Sequence, residues 1–147
     1  MGLALFDSNI VMDALNGYPQ AVAEISYFDD IAISSVAWVE VMSKPLAESA
    51  RGKLDCDIVQ TALNFLADFT IIHSNYAIMI EAARIRANSL LAPPKIRLPD
   101  VFILATANVT GRLLVTRNRR DFRGANVRFP YDLQDGLVFN VAPPPVG

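Results

Sequence analysis

Short apolar runs recur along the chain, separated by longer segments in which apolar positions repeat every three or four residues. The runs have the length of buried strands, and four of them predict strands: 3–6, 31–33, 69–72 and 113–115. The longer segments predict helices: one beginning after Asp7, then 36–42, 57–67, 75–91 and 99–108. Strands alternating with helices are typical of an α/β fold, here a central parallel sheet flanked by helices in three layers.

Residues that start or stop helices support these boundaries. Ser34 offers an N-cap for the helix that begins near Val36, and Pro45 is expected to interrupt or restart that helix. Pro99 suits the first turn of its helix, and Gly111 suits its end. Such a fold binds ligands outside the carboxyl ends of its strands, so the residues just after each strand are the first candidates for function.

The length of 147 residues predicts a single domain. We place the domain at residues 1–131 and expect 132–147, which contains three consecutive prolines, to be an irregular C-terminal extension. The chain is 52% hydrophobic and 19% charged, which excludes intrinsic disorder. It also indicates an apolar surface that a partner or a second copy covers.

No membrane interaction or export is expected. The longest apolar runs are far shorter than the ~18 residues of a membrane-spanning helix, and the N-terminus has no signal-peptide pattern. A lone cysteine, Cys56, cannot form an internal disulfide, and no Cys/His spacing suits zinc. We expect a cytoplasmic protein in which Cys56 lies buried or on a helix face.

Positive charge is concentrated in one part of the chain. Residues 1–94 carry a net charge of −6, residues 95–131 carry +6 and residues 132–147 carry −2. Seven of the eight basic residues in the middle block are arginines, whose planar fork suits phosphate. The block therefore indicates nucleic-acid binding, although a solvated loop or an acidic partner segment would also account for it.

Three carboxylates stand in apolar surroundings. Asp7 follows a predicted strand, Glu40 is bracketed by Trp38-Val39 and Val41-Met42, and Asp100 shares a helical face with apolar residues. A buried carboxylate is costly unless it is paired or binds a cation, and hard divalent cations take carboxylate oxygens. Each acid alone has another explanation: Asp7 as a helix cap, Asp100 as a first-turn acid and Glu40 as an exposed helix residue.

The chain resembles the PIN-domain family, and within it the VapC-type toxin ribonucleases. Five segments carry the resemblance: LFDSN at 5–9, SSVAWVEV at 34–41, RLPDVFILATA at 97–107, LVTRNRRDF at 114–122 and VRFPY at 127–131. The third and fourth are the specific ones, and the match covers residues 3 to about 131. The resemblance implies a PIN-like fold and a metal-dependent endoribonuclease that cleaves RNA phosphodiester bonds.

The resemblance also implies a catalytic site. The family's three acids fall on Asp7, Glu40 and Asp100, which would bind Mg²⁺ or Mn²⁺. Its fourth polar position falls on Asn118, where many members have Asp, and the neighbouring Asp121 is the alternative for that position.

Two further positions near these acids are expected to support them. Ser8 stands where the family has Thr or Ser, and Thr116 would orient water or the metal-binding carboxylates. Asp121 is expected to share this supporting role if Asn118 fills the fourth position.

The expected partners follow from the same resemblance. Arg117, Arg119 and Arg120 follow the fourth strand and would hold the phosphates of an RNA substrate, whether tRNA, rRNA or mRNA; alternatively, one or two of them pair with the protein's own acids. A cognate antitoxin protein would place a basic residue in the acidic pocket and pack an apolar helix near the early helices. A homodimer is also expected.

Two other functions remain to be weighed. A non-catalytic PIN-like RNA-binding or interaction module would explain Asn118 but not three intact acids. A phosphatase with an aspartate nucleophile would need a second Asp where Asn9 stands. His73 is the single histidine, and we interpret it as structural, so cleavage by paired histidines is not expected.

Overall fold

A computed structural model describes residues 2–52 and 57–146 of the chain. The prediction for Cys56 lies outside the described residues. Within these two ranges, five parallel strands form the central sheet: β1 Leu3–Phe6, β2 Asp30–Ser34, β3 Thr70–Ile72, β4 Leu113–Val115 and β5 Val127–Arg128. Their spatial order is β3-β2-β1-β4-β5.

In the described part of the chain, six helices flank the sheet: α1 Ser8–Leu15, α2 Pro19–Ser26, α3 Ser35–Ala50, α4 Asp57–Leu66, α5 Tyr76–Leu91 and α6 Leu98–Thr110. The predicted three-layer α/β/α arrangement is therefore confirmed. Among the described residues, no helix combines the length and apolar composition needed to cross a membrane.

The strand order places the topological switch point of the sheet between β1 and β4. The chain passes from β1 outward to β2 and β3, then returns to β4 on the other side of β1. In an open parallel sheet, ligands bind at the carboxyl ends of the strands beside such a switch point. Asp7, directly after β1, and Thr116, directly after β4, flank this point.

The core forms where β1 is covered on both faces. Phe6 is fully buried and makes edge-to-face contacts with Phe28 and Phe69, with ring centroids 5.7 and 6.0 Å apart. Such aromatic pairs stabilise a core beyond the area they bury. This packing fixes the end of β1 and, with it, the backbone of Asp7.

The helix boundaries follow the predicted signals except at Pro45. The Ser34 hydroxyl accepts a 3.1 Å hydrogen bond from the amide of Ala37, and Gly111 closes α6 with φ of 67°. The prediction that Pro45 interrupts or restarts the helix is wrong, because α3 continues through it to Ala50. Proline lacks an N–H and so costs the helix one bond, but Pro45 is buried, and α3 packs against α1 and α4.

The C-terminal extension was predicted to be irregular, but part of it forms regular structure. Residues 132–139 form an antiparallel hairpin of β6, Asp132–Gln134, and β7, Leu137–Phe139. Its two turn residues, Asp135 and Gly136, both have positive φ, of 53° and 78°, which is the conformation that an Asp-Gly hairpin turn requires. The Asp-Gly pair was the sequence signal for this hairpin.

The hairpin and the residues after it are attached to the domain. Leu133 and Val138 pack against the core. Beyond the hairpin, the amide of Ala142 donates to the carbonyl of Pro130 at 2.8 Å, and Arg128 donates to the carbonyl of Pro143 at 2.8 Å.

Candidate active site

Asp7 occupies the end of the central strand and caps α1. Its Oδ1 accepts a 2.8 Å hydrogen bond from the amide of Ser8, and its Oδ2 accepts a 2.6 Å bond from the Thr116 hydroxyl. The side chain is buried, and this burial raises the pKa of Asp7, although the bonds from Thr116 and Ser8 oppose the rise. Asp7 is thus both the N-cap of α1 and the predicted site residue, and hydrogen bonds hold both of its carboxylate oxygens.

Thr116 and Asn9 hold this carboxylate between β1 and β4. The fully buried Thr116 hydroxyl also accepts a 3.0 Å bond from the amide of Asn118. Asn9 donates to Asp7 Oδ2 at 3.2 Å and accepts a 3.3 Å bond from the amide of Arg117. Sequence reasoning gave Asn9 no role; its place two residues after Asp7 in the LFDSN segment was the available signal.

Glu40 lies in the second turn of α3 and faces the same region. Its Oε1 is buried and has no hydrogen-bond partner among the described residues. Burial raises the pKa of Glu40, and the negative charge of Asp7 raises it further. A buried carboxylate oxygen without a partner is costly, so this atom favours the presence of water or a cation.

Asp100 stands in the first turn of α6 and is buried. The Nε of Arg97 approaches its Oδ2 at 3.4 Å. Burial raises the pKa of Asp100 to about 6, with the hydrogen bond to Asp121 and the charge of Asp7 adding to the rise and Arg97 opposing it. Asp100 therefore lies near Asp7 and Asp121, and Asp7 also acts on Glu40. We call these four carboxyl groups the acidic pocket.

Both candidates for the fourth position lie at this pocket, in contact with each other. The side-chain amide of Asn118 donates to Asp121 Oδ2 at 3.1 Å, and the amide of Asp121 donates to Asn118 Oδ1 at 3.2 Å. Asp121 is the one that contacts Asp100. The structure thus brings a fourth carboxylate, that of Asp121, next to Asp100, with Asn118 bonded to it.

Two of the three arginines predicted to hold RNA are engaged elsewhere. Arg117 is bound to the buried Asp13 by Nε–Oδ2 and Nη2–Oδ1 contacts of 2.6 and 3.1 Å. Arg119 pairs with Asp132 at 2.8 Å and lies 4.8 Å from the centre of the Phe129 ring. The alternative expectation, that one or two of these arginines pair with the protein's own acids, is confirmed for Arg117 and Arg119. Their role in RNA binding stays a prediction.

Sequence reasoning also missed two buried acids that serve the framework. Asp13 accepts from both Arg117 and the Tyr131 hydroxyl, the latter at 2.7 Å. Glu24 is fully buried and paired with Arg128. Buried acids satisfied by arginine in this way stabilise the attachment of the C-terminal part of the chain to α1 and α2 rather than forming a pocket.

Comparison with known proteins assigns the fold to a family. The family model described as PIN domain matches residues 4–127. The chain belongs to the PIN-domain family. No curated protein matches it.

Solved structures of PIN-domain relatives share the fold. A chain of a toxin–antitoxin complex from Klebsiella pneumoniae is 31% identical, with 88% of this chain and 99% of that chain covered and a TM-score of 0.73. VapBC2 from Rickettsia felis, bound to a promoter DNA fragment, is 22% identical, covering 86% and 96% with a TM-score of 0.71. DNA-bound VapBC from Salmonella typhimurium is 18% identical, covering 87% and 96% with a TM-score of 0.73. The predicted resemblance to VapC-type PIN-domain proteins is confirmed.

The PIN-domain family implies a divalent metal, and the pocket fits one in its chemistry. Among the described residues, no three His, Cys, Asp or Glu side chains converge closely enough to ligate a metal together. Mg²⁺, however, keeps several waters and is bound through one or two carboxylates. Glu40 Oε1, which has no partner, and the carboxyl groups of Asp7 and Asp100 are oxygen donors that could hold such a hydrated cation partly through water.

Proposed function

We propose that this PIN-domain chain is a metal-dependent endoribonuclease that acts as the toxin of a toxin–antitoxin pair. The observation that carries the proposal is the set of three carboxyls, Asp7, Glu40 and Asp100, which come from three separate elements. The pKa of each is raised chiefly by burial. Titratable groups perturbed in this way at the ligand-binding edge of a sheet are typical of a catalytic centre.

Mg²⁺ or Mn²⁺, when bound, supplies an acidified water nucleophile and neutralises charge on the displaced phosphate. In the proposal Asp7 and Asp100 hold the cation, directly or through water. Glu40 uses its partnerless Oε1 to hold a water of the hydration shell. The products are a 5′-phosphate and a 3′-hydroxyl, and neither a histidine nor the RNA 2′-hydroxyl takes part.

The polar residues around these acids have positioning roles in the proposal. Thr116 fixes Oδ2 of Asp7, and the backbone amide of Ser8 fixes Oδ1. Ser8 lies 3.5 Å from Oδ1 of Asp7 and is placed to orient water there. Asn118 holds Asp121 beside Asp100.

An antitoxin protein is the proposed partner. A cavity between α1, α3 and α4 is lined largely by apolar side chains, among them Met12, Leu15, Val41, Pro45 and Ile58. Such a groove suits the apolar face of a helix. The likeness to a chain of the Klebsiella pneumoniae toxin–antitoxin complex supports this partner.

A homodimer in the cytoplasm completes the proposal. Several large apolar side chains on the surface of α5 and at the start of α6 are exposed: Tyr76, Met79, Ile80, Leu90, Leu91 and Leu98. Apolar surface of this extent favours association. Sedimentation velocity is expected to give twice the chain mass, and a monomer over the whole concentration range would contradict the dimer.

Cleavage of a mixed total-RNA sample by the purified chain tests the function. The wild type and Asp100→Asn are each incubated with Mn²⁺, with Mg²⁺ and with EDTA. We expect discrete fragments from the wild type with metal only. Identical patterns from the wild type and the variant in every lane would reject the nuclease.

A further inference from the structure

We propose that Lys95, Arg97 and Arg120 form a phosphate-binding cleft beside the acidic pocket, and that this cleft takes the backbone of an unpaired RNA segment next to the scissile bond. The inference rests on the proposed ribonuclease function and adds the part of the surface that holds the substrate. It moves this role away from Arg117 and Arg119, which the sequence favoured.

The cleft has a mixed lining with an excess of positive charge. Lys95 and Arg97, from the loop before α6, line one cavity together with Asn118, Arg120 and Asp121 from the turn after β4. Three of these five side chains are cationic and one is anionic. One lining segment directly precedes α6, whose first turn contains Asp100, and the other follows the carboxyl end of β4. The cleft therefore opens beside Asp100.

Hydrogen bonds hold both walls of the cleft in place. Arg86 of α5 reaches across and donates to the carbonyl of Ile96, between Lys95 and Arg97. On the opposite wall, the reciprocal bonds between Asn118 and Asp121 fix the turn that carries Arg120. Walls fixed in this way reduce the ordering cost of binding.

Two cations of the cleft, Lys95 and Arg120, are available for a ligand in a way that Arg117 is not. Within residues 2–52 and 57–146, no hydrogen bond or ion pair engages the side chain of Lys95 or of Arg120. Both residues are exposed. Arg117 and Arg119, by contrast, already use their guanidinium groups on Asp13 and Asp132. Free cations release counterions when they bind phosphates, whereas paired ones must first break a contact.

Arg97 joins the cleft to the acidic pocket. Its side chain remains 67% exposed while its Nε lies 3.4 Å from Asp100. The charges of Asp100, Glu40 and Asp121 all raise the pKa of Arg97. A long contact of this kind at an exposed side chain is readily exchanged, so Arg97 can turn from the carboxylates to a phosphate when the substrate enters.

The recessed position of the acids selects an unpaired strand. Asp7 and Asp100 are both buried, so the scissile phosphate has to leave the surface of any RNA helix to reach them. Splayed single strands expose their backbone in this way, whereas a duplex presents a rigid surface. The cleft cations would then hold the neighbouring phosphates.

The test is binding of a short, fluorescently labelled single-stranded RNA, followed by anisotropy in EDTA over a range of KCl concentrations. The variants are Lys95→Gln, Arg120→Gln and the double substitution. Arg84→Gln is the control, because it removes one positive charge from an exposed site on α5. Lys95→Arg and Arg120→Lys keep the charge and are expected to keep binding, and thermal melting verifies that each variant is folded.

We expect the double variant to bind about tenfold more weakly, and the slope of log K against log salt to fall by about 0.7 for each lost contact. The control should stay within about twofold of the wild type. Wild-type binding by the double variant, or equal weakening by the control, would overturn the cleft. If the wild type cleaves RNA with Mn²⁺ in that case, the proposed function survives; if it binds RNA through the cleft but never cleaves, the proposed function fails instead.

Discussion

The hydroxyl of Thr116 donates a 2.6 Å hydrogen bond to Oδ2 of Asp7, and both side chains are buried. The bond joins the carboxyl ends of the parallel strands β1 and β4, at the topological switch point of the sheet. It lowers the pKa of Asp7 against the larger effect of burial. Thr116 thus sets both the orientation and the ionisation of the central acid.

Thr116→Val keeps the shape of this residue and removes the bond. The pKa of Asp7 is then expected to rise further, so a higher pH is needed to ionise the carboxylate. We expect the acidic limb of the pH–rate profile for RNA cleavage to move to higher pH and kcat to fall about 10–100-fold.

Two other threonine substitutions complete that measurement. Thr116→Ser keeps the hydroxyl and should restore the wild-type profile. Thr110→Val removes a hydroxyl that bonds only within α6 and should change neither value. A Thr116→Val profile that overlays the wild type would contradict the role of the bond.

Asp100 makes the metal-free protein less stable as pH rises. Its pKa in the folded state is about 6, above the ordinary value of 3.8, so between these values the folded state binds more protons than the unfolded state. The free energy of unfolding therefore falls as pH rises through this window, and the whole penalty is present above pH 6.

Asp100→Asn removes this dependence. In EDTA at neutral pH we expect the variant to be more stable than the wild type by about 1–2 kcal/mol, allowing for partial screening by water. At a pH below both pKa values, the wild type and the variant should have the same free energy of unfolding. Urea unfolding at several pH values measures the difference, with the exposed Asp68→Asn as control. A wild type that gains stability between pH 4 and 6 relative to Asp100→Asn would contradict this account.

Divalent metal should reverse that penalty. Because a ligand that binds only the folded state stabilises it, Mg²⁺ or Mn²⁺ at 100 times its dissociation constant is expected to add about 2.7 kcal/mol. Asp7→Asn, Asp100→Asn and Glu40→Gln should each lose most of this gain. Thermal melting with metal and with EDTA measures it, and an equal rise in Asp68→Asn and Asp7→Asn would show that the effect is not specific to the pocket.

Arg117 is expected to matter for stability and little for RNA. Arg117→Ala leaves the buried Asp13 with Tyr131 as its remaining side-chain partner, and removing one partner of a buried pair is costly. We expect a loss of about 3 kcal/mol in the free energy of unfolding, near the lower end for such pairs because Arg117 is partly exposed.

Arg119→Ala is the matched comparison, since its pair with Asp132 is more open to solvent. It should cost less than about 1 kcal/mol. Urea unfolding gives both values, and RNA binding is measured on folded protein. If Arg117→Ala folds as stably as the wild type but loses RNA binding, Arg117 contacts RNA as the sequence first suggested.

The fold was largely predictable because its signals are local. The runs at 3–6 and 113–115 have the same bounds as the strands in the structure, and the Ser34 cap and Gly111 end act as expected. The two-residue strand β5 is too short to leave a pattern, since its pairing depends on the edge that β4 offers. Pro45 was misjudged because tertiary packing outweighed a local penalty.

The site was predictable in its acids and less so in its cations. Asp7, Glu40 and Asp100 stood out because apolar neighbours surround them in sequence. The partners of the arginines are distant in sequence, 104 positions for Arg117 and Asp13, and no local pattern reports such a pair. The same holds for Asn9, whose contact with Thr116 spans 107 positions.

The chemistry of the cut ends tests the central claim most directly. RNA fragments produced by the wild type with Mn²⁺ are assayed for 5′-phosphate by ligation that requires this group, beside EDTA and Asp100→Asn samples. Water activated at the acidic pocket predicts 5′-phosphate ends in the wild-type metal sample alone. Fragments with 5′-hydroxyl ends, or 5′-phosphate ends that persist in Asp100→Asn, would contradict it.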